Sequence, residues 1–223
     1  MSPPDSSPAR SGPIRLDQQA ALIVVDVQNG FVTGGGLPVP KGEEVVPVIN
    51  RIAPRFVNVL LTQDWHPTGH ASFASSHAGK RPYDVVALAY GRQVLWPDHC
   101  MQGTVDAELH ADLAVPHAQV VVRKGFHPLV DSYSAFREAY RVALTGLDGY
   151  LKERGVSRLF IVGLATDFCV AWTAIDARQV GYETWVIEDA TRAIDLEASL
   201  DAAWREMSAR GVQRIQSSAL APG

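Results

Sequence analysis

The chain is most constrained by a regular alternation between short apolar runs and stretches with helical spacing. Ala20-Ala-Leu-Ile-Val-Val25 is continuously apolar and closes on Asp26, the pattern of a strand covered on both faces. Val45, Val48, Ile49 and Ile52 keep helical spacing, with Pro47 tolerable only in a first turn. Phe56-Val-Asn-Val-Leu-Leu61 predicts a second strand ending near Asp64, and Val120-Val-Val122 a third leading into Arg123 and Lys124. Thr145-Gly-Leu-Asp148 reads as a capping box ahead of Leu147 and Leu151, with Gly155 as the stop. Leu159-Phe-Ile-Val162 is a fourth strand, followed by an apolar helical stripe of Phe168, Trp172 and Ile175. Trp185-Val-Ile187 is a fifth strand. Leu196, Leu200, Ala203 and Met207 mark a helix from behind Asp195 to Gly211, and Gln213–Gln216 is a weaker last strand. Trp172, Trp185 and Trp204 are expected in the core. Residues 65–100 show no periodicity and predict a long functional loop. Strand–helix alternation implies parallel strands, right-handed crossovers and helices on both faces. The expectation is a single α/β domain built on a parallel sheet of about six strands.

Composition agrees with one folded domain. A chain of 223 residues buries about 70% of the surface its unfolded form exposes. With 47% hydrophobic and 20% charged residues, general disorder is excluded. Lys plus Arg number 20 against 24 Asp plus Glu, a net charge of −4, which leaves no basic excess for a nucleic-acid backbone. Two cysteines, Cys100 and Cys169, cannot build a disulfide framework and suit a reducing compartment. No apolar run approaches the roughly 20 residues that span a bilayer. Met1–Pro13 has no hydrophobic stretch, and its Pro and Ser content predicts a flexible tail. The expected division is a tail over 1–17 and one domain over 18–223, in a soluble cytoplasmic protein without nucleic-acid or membrane partners. Homo-oligomer formation is left open.

Ligands of open parallel sheets bind beyond the carboxyl ends of the strands. Asp26, Asp64, Lys124 and, just past the fourth strand, Cys169 all fall at that rim. Val162-Gly-Leu-Ala-Thr-Asp-Phe-Cys169 turns from strand to helix, with Thr166 or Asp167 as the expected N-cap. Cys169 in the first helical turn, with Lys124 nearby, predicts a lowered thiol pKa, and Asp26 could take its proton. Taken alone, Cys169 reads more readily as a buried, inert thiol. Asp64-Trp-His66 directs a carboxylate and an imidazole to one side of extended backbone. With His99, they offer one Asp and two His for Zn²⁺, Fe²⁺ or Mn²⁺, and His70 is a fourth ligand or a partner of one. The alternative is an ordinary loop with histidines. His77, His110, His117 and His127 read as surface or structural. Phe31, Trp96 and Tyr133 flank these groups and suggest a flat-ring pocket.

Seven blocks occur in one order: Val25-Asp-Val-Gln-Asn-Gly-Phe31, Gln63-Asp-Trp-His-Pro67, His70-Ala-Ser-Phe-Ala74, Trp96-Pro-Asp-His-Cys100, Lys124-Gly125, Val130-Asp-Ser-Tyr-Ser-Ala-Phe136 and Gly163-Leu-Ala-Thr-Asp-Phe-Cys-Val170. Together they closely resemble nicotinamidases, within the isochorismatase-like cysteine hydrolases, from about residue 20 to the end. The resemblance implies a three-layer sandwich and a triad of Asp26, Lys124 and Cys169. It implies metal ligands Asp64, His66 and His99, and a cis peptide at Leu164-Ala165. It also implies an oxyanion hole from the amides of Ala165 and Cys169, and a ring pocket of Phe31, Leu37, Trp96 and Tyr133. The implied activity is hydrolysis of nicotinamide, with pyrazinamide as a further substrate, using one divalent metal, zinc before iron or manganese. Gly30 stands where an acidic residue is common, and Phe168 where Tyr is frequent. The alternatives are a metal-free cysteine amidohydrolase or isochorismatase-type hydrolase, and a non-catalytic binding protein on the same fold.

Overall fold

The computed structural model describes residues 12–221. Residues 1–11 of the expected tail lie outside the described residues. From Ile14 the chain is fastened: Ile14 bridges to Leu220, and Arg158 pairs with Asp17 at 2.6 Å. The tail boundary drawn at 17 therefore moves towards the N-terminus.

The strands are β1 (Ala20–Val25), β2 (Asn58–Asp64), β3 (Val85–Leu88), β4 (Gly91–Val94), β5 (Val120–Lys124), β6 (Arg158–Leu164), β7 (Glu183–Arg192) and β8 (Gln213–Ile215). The helices are α1 (Val45–Ile52), α2 (Leu147–Glu153), α3 (Ala171–Gln179) and α4 (Ser199–Ala209). Six strands form one parallel sheet in the order β5-β2-β1-β6-β7-β8, and β3 and β4 form a separate antiparallel hairpin. Successive strands add outward from β1 on one side and then on the other, so chain direction switches beside β1. Such a switch opens a crevice at the carboxyl ends.

Every residue of β1 is buried, and its side chains alternate between two cores. Ala20, Leu22 and Val24 pack with Val45, Ile49 and Ile52 of α1. Ala21, Ile23 and Val25 pack with Leu151 of α2, Ala174 of α3 and Met207 of α4. That division, forced by the two-residue period of a strand, produces the three layers. Two particulars differ from the apolar pattern. The buried stripe of α3 is Ala171, Ala174 and Ala177 rather than Trp172 and Ile175, and Trp172 is 42% exposed; small residues let the helix lie close on the sheet. Trp204 is half-buried under the Arg214 guanidinium, 4.4 Å from its ring centre.

Other boundaries move for identifiable reasons. β7 extends to Arg192 because Glu188, Asp189 and Arg192 are part of it, charges that hide a strand from a hydrophobicity reading. The hairpin β3–β4 interrupts the expected long loop. Its turn, Ala89-Tyr90, lacks the residues that signal a two-residue hairpin connection. At α2 the expected capping box does not form, because Gly146 is the N-cap and offers no side chain to cap the helix. Thr145 Oγ1 accepts from Leu147 N at 3.2 Å, while Asp148 pairs instead with Lys152 and Tyr182.

The α1 face of the core is centred on Phe160, which is stacked on Trp185 with ring centres 4.8 Å apart and tilted on Phe56 at 5.3 Å. Phe160→Ala should lower unfolding stability by about 3–5 kcal/mol, measured as a shift of the urea midpoint at unchanged slope.

Candidate active site

The rim of the sheet collects four functional groups by register. Asp64 at the end of β2 is the direct partner of Lys124 at the end of β5, so their side chains emerge together. Asp26 follows β1 with φ 49°, a left-handed exit that turns its carboxylate towards them. Thr62 Oγ1 donates to Asp26 Oδ1 at 2.6 Å and accepts from Asp26 N at 3.1 Å. Gly163 makes the adjacent end of β6 possible: its φ is 108°, and a Cβ there would lie 2.0 Å from the Val25 carbonyl oxygen. After β6 comes the cis peptide Leu164-Ala165, then a five-residue π turn, Thr166–Val170, that carries Cys169.

The Lys124 ammonium sits at the centre. Its Nζ lies 2.5 Å from Asp64 Oδ1, 2.8 Å from Asp26 Oδ2, 3.0 Å from Ser132 O and 3.2 Å from Cys169 Sγ. All three titratable neighbours are buried. Three protons face four acceptors, and Asp26 Oδ2 is the one left without a hydrogen-bonding partner among the described residues. Burial opposes the charge on Lys124, but Asp26 and Asp64 outweigh it and hold the ammonium well above its ordinary pKa. Burial also opposes charge on Asp64, yet Lys124 and then His66 keep that carboxylate well below the usual range.

Burial raises Asp26, with Lys124 working against the rise. Burial likewise raises Cys169 well above an ordinary thiol, more than Lys124 lowers it, with Asp26 adding to the rise. The expected lowered thiol pKa is therefore corrected. One ammonium already serves two carboxylates, and a thiolate would add an uncompensated charge to a dry site. The expected N-cap is corrected too: no side chain caps the turn, and Asp167 is engaged with the segment after β7.

Asp64 has a second face. Its Oδ2 lies 3.6 Å from His66 Nε2 and 3.8 Å from His99 Nε2. The other ring nitrogens face carbonyls, His66 Nδ1 to Gly125 O and His99 Nδ1 to Pro97 O, each at 2.8 Å. Both Nε2 lone pairs are thereby left for a ligand. Distances too long for hydrogen bonds and close to the ligand–ligand spacing around one ion at about 2.1 Å, with carbonyls orienting both rings, fit a divalent metal. Gly125 is needed here, because a Cβ on it would approach His66 Cε1 to 2.5 Å. Phe73 packs edge-on against His66, His70 and His99 with ring centres 5.3–5.6 Å away. His70 stands beside this trio rather than in it. It contacts Ser72 and Val130 O and groups with His66 and Asp131, and burial and then His66 push its pKa down to about 4.

One cavity touches both clusters. Phe31, Leu37, Trp96 and Tyr133 line it together with Asp64, His66, His99, Ala165 and Cys169. Asp131, Phe168 and Ile194 line it as well and were not expected as lining. Two supports also escaped sequence reasoning. Thr62 was detectable, since it is two residues before Asp64 and so on the same strand face. Gln28 grips the Asp64 backbone, donating to its carbonyl at 2.9 Å and accepting from its amide at 2.8 Å, and only the fold reveals that.

The isochorismatase domain family matches residues 20–219. The chain belongs to the isochorismatase family. Among family members, the nicotinamidase of Acinetobacter baylyi is 60% identical over 206 residues, covering 92% of this chain and 96% of that protein. A solved Acinetobacter baumanii nicotinamidase–pyrazinamidase superposes with a TM-score of 0.90 at 58% identity, covering 91% of this chain and 98% of the other. The Pyrococcus horikoshii pyrazinamidase, solved in complex with zinc, gives 0.73 at 34% identity over 89% and 99%.

Lys124→Met removes the cation shared by the buried carboxylates of Asp26 and Asp64. It should cost about 3–5 kcal/mol of stability near neutral pH, read from denaturant unfolding.

Proposed function

We propose that this isochorismatase-family chain is a nicotinamide amidohydrolase that acts through Cys169. The carrying observation is the cavity itself, where a thiol paired with an ammonium and a carboxylate meets an Asp–His–His trio within aromatic walls. The likeness to nicotinamidases over nine-tenths of the chain supports the same reading.

In the proposed reaction the Cys169 thiol passes its proton to Asp26, which has a carboxylate oxygen within 4.8 Å of the sulfur, as the sulfur adds to the carboxamide carbon. Moving the proton inside the cluster keeps its net charge unchanged, whereas losing it to solvent would not. The amides of Ala165 and Cys169, whose residues both line the cavity, would receive the developing oxyanion; such a donor is worth about 10²–10³ in rate. Asp26 returns the proton to the departing nitrogen, ammonia leaves and a thioester remains. Water then adds with Asp26 as base, and nicotinate and the thiol are released. Lys124 stays protonated and balances whichever of Asp26 and Cys169 carries negative charge. Asp64, His66 and His99 would hold one divalent ion, zinc ahead of iron or manganese, which supplies a Lewis acid for a pyridine nitrogen. The same pocket would admit pyrazinamide. The product, nicotinate, is the form recovered for NAD salvage, and a cytoplasmic location suits it. No helix among the described residues is long and apolar enough to cross a membrane.

Ammonia release from nicotinamide, followed with and without a chelator, tests the proposal. Cys169→Ala should reduce turnover by at least about 10³-fold with metal stoichiometry unchanged; appreciable residual activity would remove the thiol from the reaction. His99→Ala should instead lose bound metal, measured by elemental analysis. A wild-type protein that turns over without any metal would favour a metal-free amidohydrolase, and one that releases no ammonia from aromatic amides would favour a binding protein.

A further inference from the structure

We propose that Asp167 is a positioning residue that ties the nucleophile turn to a wall of the ring cavity through Ile194. Asp167 is two residues before Cys169 and only 7% exposed, yet its carboxylate does not line the cavity among the described residues. It reaches across to the segment after β7, accepting from Ile194 N at 3.1 Å on Oδ1, and from Asp195 N at 2.8 Å and Ser199 Oγ at 2.5 Å on Oδ2. Ile194 is the member of that segment that lines the cavity.

The segment needs such a tie. Asp195, Glu197 and Ala198 have φ of 56°, 50° and 64°, a left-handed conformation that side-chain-bearing residues adopt only when their surroundings impose it. Three such residues within four positions have little intrinsic preference for the path they follow. The Asp167 carboxylate satisfies two backbone amides on that path and the hydroxyl at the start of α4. Cys169 and Ile194 are therefore held in one frame by a side chain whose hydrogen bonds among the described residues go to Ile194, Asp195 and Ser199.

Holding the wall fixed keeps a flat ring seated where its carboxamide meets the sulfur, and misplacement by an ångström is enough to lose about 10²-fold in rate. The assignment of a substrate effect rests on the proposed amidase activity; the tie itself does not, and the experiment separates them. Asp167→Asn sets an N–H against donors in place of one acceptor oxygen. It should lower kcat/KM for nicotinamide by about 10–100-fold, chiefly through KM, when rates are normalised to alkylatable Cys169. Ser199→Ala deletes one of the three bonds and should move KM in the same direction by a smaller factor. On an Ile194→Ala background, Asp167→Asn should cost less than about twofold more, because the wall it positions is already gone. Hydrogen exchange at the Ile194 and Asp195 amides reads the tie without substrate and should accelerate in Asp167→Asn. Should that variant not fold, Ser199→Ala carries both measurements. A purely structural role changes the yield of folded protein and leaves KM alone. Unchanged KM and exchange in the variants, or full additivity with Ile194→Ala, overturns the proposal. Failure of the wild type to release ammonia would fail the amidase activity, and exchange would still decide the tie.

Discussion

A single buried ammonium organises the rim of this sheet. Lys124 is 1% exposed, and an unpaired charge at that depth costs several kcal/mol. The fold meets the cost by surrounding the nitrogen with Asp26, Asp64, the Ser132 carbonyl and the Cys169 sulfur. Each of these comes from a different stretch of chain, so the ammonium is what draws four segments to one point. Burial, more than this charge, sets the protonation of Asp26 and Cys169. With two carboxylates sharing one cation, a thiolate at Cys169 would add an uncompensated charge to a dry site.

Backbone geometry delivers these groups with few adjustable parts. Parallel register places Asp64 opposite Lys124, and the left-handed exit at Asp26, clipped by Thr62, brings in the second carboxylate. Gly163 lets β6 pass so close to Val25 that no side chain fits between them, which sets where the turn bearing Cys169 begins. Glycine at 125 serves the other cluster in the same manner by admitting the His66 ring. Small residues at these strand ends thus act on chemistry through space they leave empty.

Much of this was legible before any coordinates. The apolar run Ala20–Val25 reports a fully buried strand and the helical spacing of Val45–Ile52 a helix with one buried face, and polar residues closing such strands mark the rim. What stayed hidden had physical reasons. The charges of Glu188 and Asp189 conceal half of β7, and the Ala89-Tyr90 turn gives β3–β4 no signature. The burial of α3 rests on alanines that carry little hydrophobic signal, while its large Trp172 faces out. The protonation of the thiol is not legible in the sequence, which shows that a lysine is near but not how many carboxylates already claim it.

Asp64 is where the two halves of the site become one. Its Oδ1 holds Lys124 while its Oδ2 faces the two imidazoles, so a single carboxylate divides its lone pairs between the Lys124 cluster and the candidate metal ligands. Neither half can then shift without the other. Moving Lys124 rotates the oxygen presented to His66 and His99, and moving the imidazoles changes how firmly the ammonium is shared with Asp26 and Cys169. Gln28 fixes the Asp64 backbone at both its amide and its carbonyl, which leaves side-chain torsion as the residue's main freedom. The sulfur and the Asp–His–His trio are thus linked through one residue at the end of a fully buried strand, and an aromatic amide that reaches both must span the gap between them.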